Sequence, residues 1–492
     1  MGLPVPEGFV ISTDCWREFE KSKALPERLR QELSTRIASM EQRAGRQFGD
    51  ALDPLLVSVR SGAPVSMPGM MDTILNVGLT PENVASLSQL TGDPEFAYGS
   101  FARLLEGFAR SVRNIDADLI EDAAIRLGPK PAPDERVDSL LALIAEESGP
   151  FPGPQGQLEE SIRAVLESWD SRRAAAYRGR NGISRDIGTA VVVQRMVFGN
   201  LDDLSGSGVA FSRDPSTGEN QPFGDFLFRA QGEDVVSGEA ETLPLAMIGT
   251  RLPEVRDEVF SLLRLLERQG KDLCEVEFTV ERGRLFLLQH RIGQRSPAAT
   301  ARVAVDLARE GVITRAEALA RVGSERLTSA PAVSFVRSKD ALDLARGLGA
   351  SPGAAVGRVA FDSPTAERLR AEGHSVVLIR PTTSPADMPG LIASAALVTA
   401  IGGPASHAAV VARGMGLPAV CAIGRESLRI AEDRRSAVLN GHELHVGDIV
   451  SVDGTEGIVT AGSLPLSPGP QEPALEILLS WQAESELDGH RT

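Results

Sequence analysis

Cysteine, lysine and aromatic residues are all scarce in this chain, and each shortage closes off a class of function. Three cysteines, Cys15, Cys274 and Cys421, lie far apart with no CxxC spacing. That leaves no basis for a disulfide framework or a zinc site, so buried thiols are expected. Aromatic residues make up 4 % of the 492 residues, too few for the stacking platforms that bind single-stranded nucleic acid. Lysines number five (Lys21, Lys23, Lys130, Lys271 and Lys339), so nearly all positive charge is arginine. A formal net charge of −16 argues against a general polyanion binder, although a local basic pocket remains open. No run approaches the roughly 20 apolar residues of a membrane span, and no charged-then-apolar leader opens the chain. A cytoplasmic chain with neither membrane nor nucleic-acid partners is expected.

What is present suits several ordinary globular domains. The length exceeds what one core supports, and two to four domains are expected. Residues 1 to about 50 read as a short extended segment followed by helices. From Leu55 an apolar strand feeds the Gly/Pro/Ser-rich loop of "SVRSGAPVSMPGMMDTILNVGLT", and a helix is expected behind it. Residues 80–180 read as mostly helical. Strands return at "GTAVVVQRMVFGN", "GSGVAFSRDP" and "CEVEFTVERGRLFLLQHR". The last is a hairpin turning at Arg282-Gly283, with apolar residues alternating along both arms. Helical periodicity from Gly293 to Lys339 marks a hinge or linker. A second compact unit alternates short strands ("SVVLIR", "ALVTAI", "DIVSVDG") with helices. A Pro-rich spacer, "SLPLSPGPQEP", and one amphipathic helix follow.

The stretch "GGPASHAAVVARGMGLPAV", from Gly402 to Val420, sets a histidine in an unusual place. Gly402 and Gly403 break the chain, Ser406 reads as a helix cap, and His407 opens an alanine-rich helix stopped by Gly414 and Gly416. A helix N-terminus carries roughly half a positive charge and unpaired N–H groups, which disfavour imidazolium and welcome an anion. A neutral imidazole there is a nucleophile, and once phosphorylated it is an anion on the same dipole. The blander alternative is a histidine that merely satisfies a cap. The other histidines (His290, His374, His442, His445 and His490) lack this context and read as surface or structural.

"GG-x-x-SHAAVVAR-x-x-G-x-PAV" closely resembles the phosphohistidine signature of enzymes that exchange phosphate with phosphoenolpyruvate. "SVRSGAPVSMPGMMDTILNVGLT", "AQGEDVVSG" and "VEFTVERGRLFLLQHR" resemble the pyruvate, phosphate dikinase family. Together these likenesses cover residues 1 to about 465. They imply an α/β and α+β multidomain chain: an ATP-grasp-type nucleotide domain at 1–330, a swivelling phosphohistidine β/α domain with its linker at 331–465, and the spacer with its helix at 466–492. The resemblance makes His407 the phosphoryl carrier, in a loop with Gly402, Gly403 and Ser406. It assigns the transferring phosphates to Arg60, Glu275 and Arg291, and a covering flap to Gly69, Met70 and Met71, with Asp72 and Thr73 starting the helix behind. Glu277 and Gln289 would hold Mg²⁺, a hard cation suited to oxygen ligands. Glu233 and Asp234 fall near the nucleotide. ATP and phosphate are the expected substrates, the β-phosphate reaching histidine and AMP leaving. A homodimer is among the expected assemblies. Singly, Arg60 could be a strand-end charge, and Glu275 and Glu277 the polar face of an edge hairpin.

Three departures from the family bear on function. Its "GGKGANL" segment, whose lysine grips the nucleotide, precedes "GLPVPEGF", where this chain begins, and none of the five lysines stands in an equivalent context. A misassigned start and weak or absent ATP binding are the alternatives. The family's (β/α)₈ barrel would begin near Thr492, so pyruvate or phosphoenolpyruvate is expected only through a separate barrel. Ala405 stands where the family commonly has a threonine, phosphorylated in plant members, so that switch is absent. Two other functions stay open: a catalytically impaired relative that binds a nucleotide or a partner and regulates it, and a phosphotransferase acting on a small molecule.

Overall fold

The structure, a computed structural model, describes residues 2–65, 67, 70–127, 132–180, 182–236, 242–323, 333–337, 341–469 and 472–489. The chain is mixed α/β and divides into two compact units, Met1–Val197 and Phe198–Thr492.

The first unit is built on a four-stranded antiparallel sheet in the order Gly8–Ile11, Val191–Arg195, Val57–Ser61, Thr73–Val77. Helices supply its apolar layer. Helix Glu27–Ala44 buries Leu29, Leu33, Ile37 and Met40, a stripe at three- and four-residue spacing. The expected helix behind the Gly/Pro/Ser-rich loop is a strand: Thr73 pairs with Arg60, and Val77 with Val57. A five-residue segment, TILNV, is too short to show a period of its own, and tertiary pairing decides it. Helix formation waits until Thr80, whose hydroxyl and Asn83 make a reciprocal capping box ahead of Pro81. From there to Arg180 the unit is mostly helical, as the sequence implies.

The second unit holds two large sheets. A five-stranded antiparallel sheet runs Leu243–Pro244, Phe223–Phe228, Gly206–Phe211, Cys274–Glu281, Arg284–Ile292. Its last two strands are the hairpin expected at Arg282-Gly283, with Arg282 at φ 51° and Gly283 at φ 76° in the turn. The eight-stranded sheet has a parallel centre of Ala354–Ala360, Val376–Arg380, Ala396–Thr399 and Ala419–Cys421. Val376 to Ile379 and Ala396 to Val398 are all fully buried, the unbroken apolar run typical of strands covered on both faces. The crossover from Ala396–Thr399 to Ala419–Cys421 is the helix His407–Met415.

Two stretches read as connectors carry more structure than composition suggests. Inside the Pro-rich segment, Leu466–Pro468 pairs antiparallel with Val333–Phe335. The terminal helix Pro473–Gly489 packs on helix Pro297–Arg309: Ala474, Leu478 and Trp481 share one core with Ala301, Ala304, Val305, Phe211 and Ala405. Arg315 adds a cation–π contact to Trp481, 5.0 Å from the ring centre. Residues 324–332 and 338–340 of the expected hinge lie outside the described residues. All three cysteines are free and buried.

Because Leu478 is fully buried in this shared core, Leu478→Ala should destabilise the second unit by about 2–5 kcal/mol, read as a lower urea midpoint at unchanged slope.

Candidate active site

The loop from Ala400 to Ser406 leaves the carboxyl end of a buried parallel strand and enters the histidine helix, a position where open α/β sheets place their ligands. Ser406 caps the helix as expected, its hydroxyl accepting from the Ala409 N–H at 3.4 Å. Gly416, at φ 63°, ends the helix in the left-handed region, whereas Gly414 lies inside it. Gly402 sits at φ 130°, and a Cβ there would stand 2.8 Å from Ser406 Oγ. At Gly403 a Cβ would stand 2.6 Å from Thr242 Oγ1 and 2.7 Å from both Asp225 oxygens. The positive φ at Gly402 strains any other residue, and a side chain at Gly403 would force Thr242 and Asp225 to move.

The imidazole is held from one side. Its Nδ1 lies 3.2 Å from Thr383 Oγ1, while Nε2 is buried with no hydrogen-bond partner. Burial pushes the His407 pKa down to about 4, against the opposing pull of the Asp387 carboxylate. The ring is therefore neutral at physiological pH. In the tautomer that donates Nδ1–H to Thr383 Oγ1, the lone pair sits on Nε2. Thr383 and Asp387 belong to the loop at the carboxyl end of the neighbouring strand Val376–Arg380. That loop is fixed by a capping box between Ser384 and Asp387, and Arg380 Nε lies 3.3 Å from Asp387 Oδ1.

The hairpin arms gather a second group. Cross-strand register pairs Glu277 with Gln289 and Glu275 with Arg291, so all four stand on one face, as the alternation implies. Arg291 binds Glu275 Oε1 at 2.7 Å and Glu277 Oε1 at 2.5 Å. Glu275 is fully buried and its Oε2 has no hydrogen-bond partner. Burial raises its pKa, opposed first by Arg291. Arg413, on the histidine helix, interacts electrostatically with Glu275 and links the two groups. Its guanidinium donates to Pro404 O at 2.6 Å and Ala350 O at 3.3 Å and lies over the Phe211 ring. Complete burial lowers the Arg413 pKa to about 10, so it keeps its charge at neutral pH. Among the described residues no three His, Cys, Asp or Glu side chains gather as a metal cluster. The hairpin's oxygens still suit a hard cation that keeps most of its water.

In the first unit, Arg60 donates to Gln194 Oε1 at 2.5 Å. Met70 is fully buried and its carbonyl accepts from Arg173 Nε at 3.0 Å. Asp72 is ion-paired with Arg173 and accepts from Ser111 Oγ at 3.2 Å. Met71 is partly exposed, Thr73 opens the strand beside Arg60, and Gly69 lies outside the described residues. Asp225, Thr242, Thr383, Asp387 and Arg413 were not singled out in the sequence. "TTSPAD" does hold a readable signal, Ser384 three residues before Asp387. Asp225, inside a strand, offers none.

A histidine on a parallel-sheet loop thus stands beside a carboxylate–arginine hairpin, with Arg413 between them. Comparison with known proteins gives the family context. Residues 22–243 match the family described as pyruvate phosphate dikinase, AMP/ATP-binding domain, and residues 373–457 match the PEP-utilising enzyme, mobile domain. The chain is 40 % identical over 500 residues to pyruvate, phosphate dikinase of Rhizobium meliloti (strain 1021), covering 95 % of this chain and 55 % of that protein. It is 40 % identical over 497 residues to the chloroplastic enzyme of Flaveria trinervia, covering 98 % and 52 %. For the Clostridium symbiosum enzyme the identity is 38 % over 498 residues, covering 98 % and 57 %. The chain is thus similar to the pyruvate, phosphate dikinases over nearly all of its length and spans about half the length of the curated relatives it matches.

A neutral His407 has a pH signature. In an NMR titration its ring should protonate only near pH 4, against about 6.5 for an unperturbed histidine. Between those values the unfolded chain binds the proton and the folded chain does not, so this residue's contribution to stability falls as pH drops from about 6.5 to about 4. His407→Gln should remove that slope.

Proposed function

We propose that this chain carries the nucleotide half of a dikinase reaction, the ATP-driven phosphorylation of His407. The observation that carries the reading is the buried, partnerless Nε2 of a neutral imidazole at a helix N-terminus. In the reaction Nε2 forms the N–P bond to the β-phosphorus of ATP. The bond from that phosphorus to the AMP oxygen breaks, and its electron pair leaves with AMP. An oxygen of inorganic phosphate bonds to the γ-phosphorus as the γ-phosphorus–bridging-oxygen bond breaks, giving pyrophosphate and leaving the electron pair on the β-phosphoryl group. The proton stays on Nδ1, donated to Thr383 Oγ1, so the ring needs no proton transfer to become phosphohistidine. The anion it then carries rests on the helix dipole.

Roles for the other groups follow from their chemistry. Glu277 and Gln289 would supply oxygens to Mg²⁺, and Glu275 Oε2, which has no hydrogen-bond partner, would add another from the same face. When bound, the ion draws charge from the phosphate oxygens. Arg291 and Arg60 offer guanidinium forks to phosphate, and Met70 to Thr73 form the base of a covering loop anchored by Arg173. We assign residues 1–330 to nucleotide handling and 331–465 to the histidine carrier. The names of the relatives point to pyruvate as the final acceptor, reached when the carrier swings away. Three unpaired cysteines fit a reducing, cytoplasmic compartment.

Incubation with Mg²⁺, phosphate and ATP labelled at the β-position tests the reading. Acid-labile, base-stable label should appear on the protein with AMP release, and His407→Ala should abolish it. A folded chain that takes up no label would overturn the proposal in favour of a nucleotide-binding regulator.

A further inference from the structure

The loop that brings Thr383 to the imidazole opens at Arg380, the last residue of strand Val376–Arg380, and closes at Asp387. Asp387 is 7 % exposed, and its carboxylate reaches both halves of that loop. Oδ2 accepts from the backbone N–H of Ser384 at 3.0 Å and from its hydroxyl at 3.4 Å, immediately beyond Thr383. Oδ1 lies 3.3 Å from Arg380 Nε, which has no hydrogen-bond partner, so that contact is ionic. The guanidinium is itself held, Nη1 donating to Phe361 O at 3.0 Å. Ser363 Oγ donates to the Asp387 carbonyl at 3.4 Å and ties the loop to the start of helix Ser363–Ala371. Among the described residues, Thr383 is the one hydrogen-bond partner of the His407 ring. Asp387 therefore meets the ring only through Thr383 and through its charge.

Resting on the carrier reading, we propose that Asp387 is a positioning residue for phosphoryl transfer: with Arg380 it closes residues 380–387 into a rigid frame that keeps Thr383 on Nδ1 and the Nε2 lone pair of His407 on the phosphorus. One hydrogen bond at Nδ1 fixes the rotation of the ring only if Thr383 is itself fixed. Thr383 stands on a connecting loop, the kind of segment that moves most, while transfer tolerates little misplacement of the nucleophile. A carboxylate suits the frame because it has acceptor sites for both Ser384 donors and still offers charge to Arg380. Burial protects that ion pair from screening by salt. Arg380 has a second effect. It offsets a carboxylate charge that would otherwise oppose the arrival of a phosphoryl anion on the nearby ring. Asp387 touches no reacting atom and acts through Thr383.

The test is a double-mutant cycle on the full chain, with wild type, Asp387→Ala, Thr383→Val and the double variant. Two quantities are measured: the rate of β-label uptake from ATP on His407, and the ¹⁵N signal of the His407 Nδ1, assigned with His407→Gln. Each single change should slow labelling about ten-fold, the equivalent of one hydrogen bond. The double variant should be no slower than Thr383→Val, because Asp387 has nothing left to position. The Nδ1 signal of Asp387→Ala should move toward its place in Thr383→Val. Asp387→Asn keeps an oxygen for the Ser384 N–H but offers Arg380 no charge, so it should fall between, and it takes the place of the alanine variant if that one does not fold. Labelling of Asp387→Ala within about two-fold of wild type, or losses that multiply in the double variant, would overturn the frame. So would an unmoved Nδ1 signal. If wild type takes up no label, the carrier reading fails and the Nδ1 signal alone decides the frame.

Discussion

A neutral imidazole kept dry at the positive end of a helix is the constraint on which the rest of the second unit depends. An exposed histidine would be partly protonated near neutral pH and its nucleophilic nitrogen hydrated. Here burial holds the pKa near 4 and leaves Nε2 without a partner. Such an arrangement needs a rigid surround, because a buried polar atom without a hydrogen bond is costly. The parallel centre of the eight-stranded sheet supplies it. Two adjacent strands end in the two loops that matter, one presenting Thr383 to Nδ1 and the other presenting His407 itself.

Charge is buried around this loop to an unusual extent. Asp225, Glu275 and Arg413 are all nearly inaccessible, and each has its charged form disfavoured by desolvation. Paired charges of this kind add little net stability. They add geometry: Arg413 ties the histidine helix back to Pro404 of its own loop, and Arg291 holds two carboxylates side by side. Glycine completes the fit where backbone and carboxylate approach most closely, at Gly403.

Where the sequence carried a strong period, its reading survived. Alternation in "CEVEFTVERGRLFLLQHR" set Glu275 and Glu277 on one face of one arm and Gln289 on the other arm, and the ladder adds the pairs Glu277–Gln289 and Glu275–Arg291. Capping chemistry located the start of the histidine helix at Ser406. The strand Thr73–Val77 was read as a helix because a short segment after a loop fits either state, and only its ladder to Val57–Ser61 decides. The Pro-rich tail hid the strand Leu466–Pro468 for the same reason, since its partner lies more than a hundred residues earlier.

Local chemistry, written in adjacent residues, was determined by the sequence itself: a capped helix that opens on histidine, a hairpin with two carboxylates on one face, buried and unpaired cysteines. What no stretch of sequence could decide is which distant side chains meet that histidine. Thr383 on its Nδ1, Asp225 on its loop and Phe211 beneath Arg413 come from separate strands or the loops that end them. Their meeting is set by sheet order and by how the histidine-bearing sheet packs on the five-stranded one. Such contacts leave no period or spacing in the chain, because the energy that fixes them is shared among residues far apart in sequence.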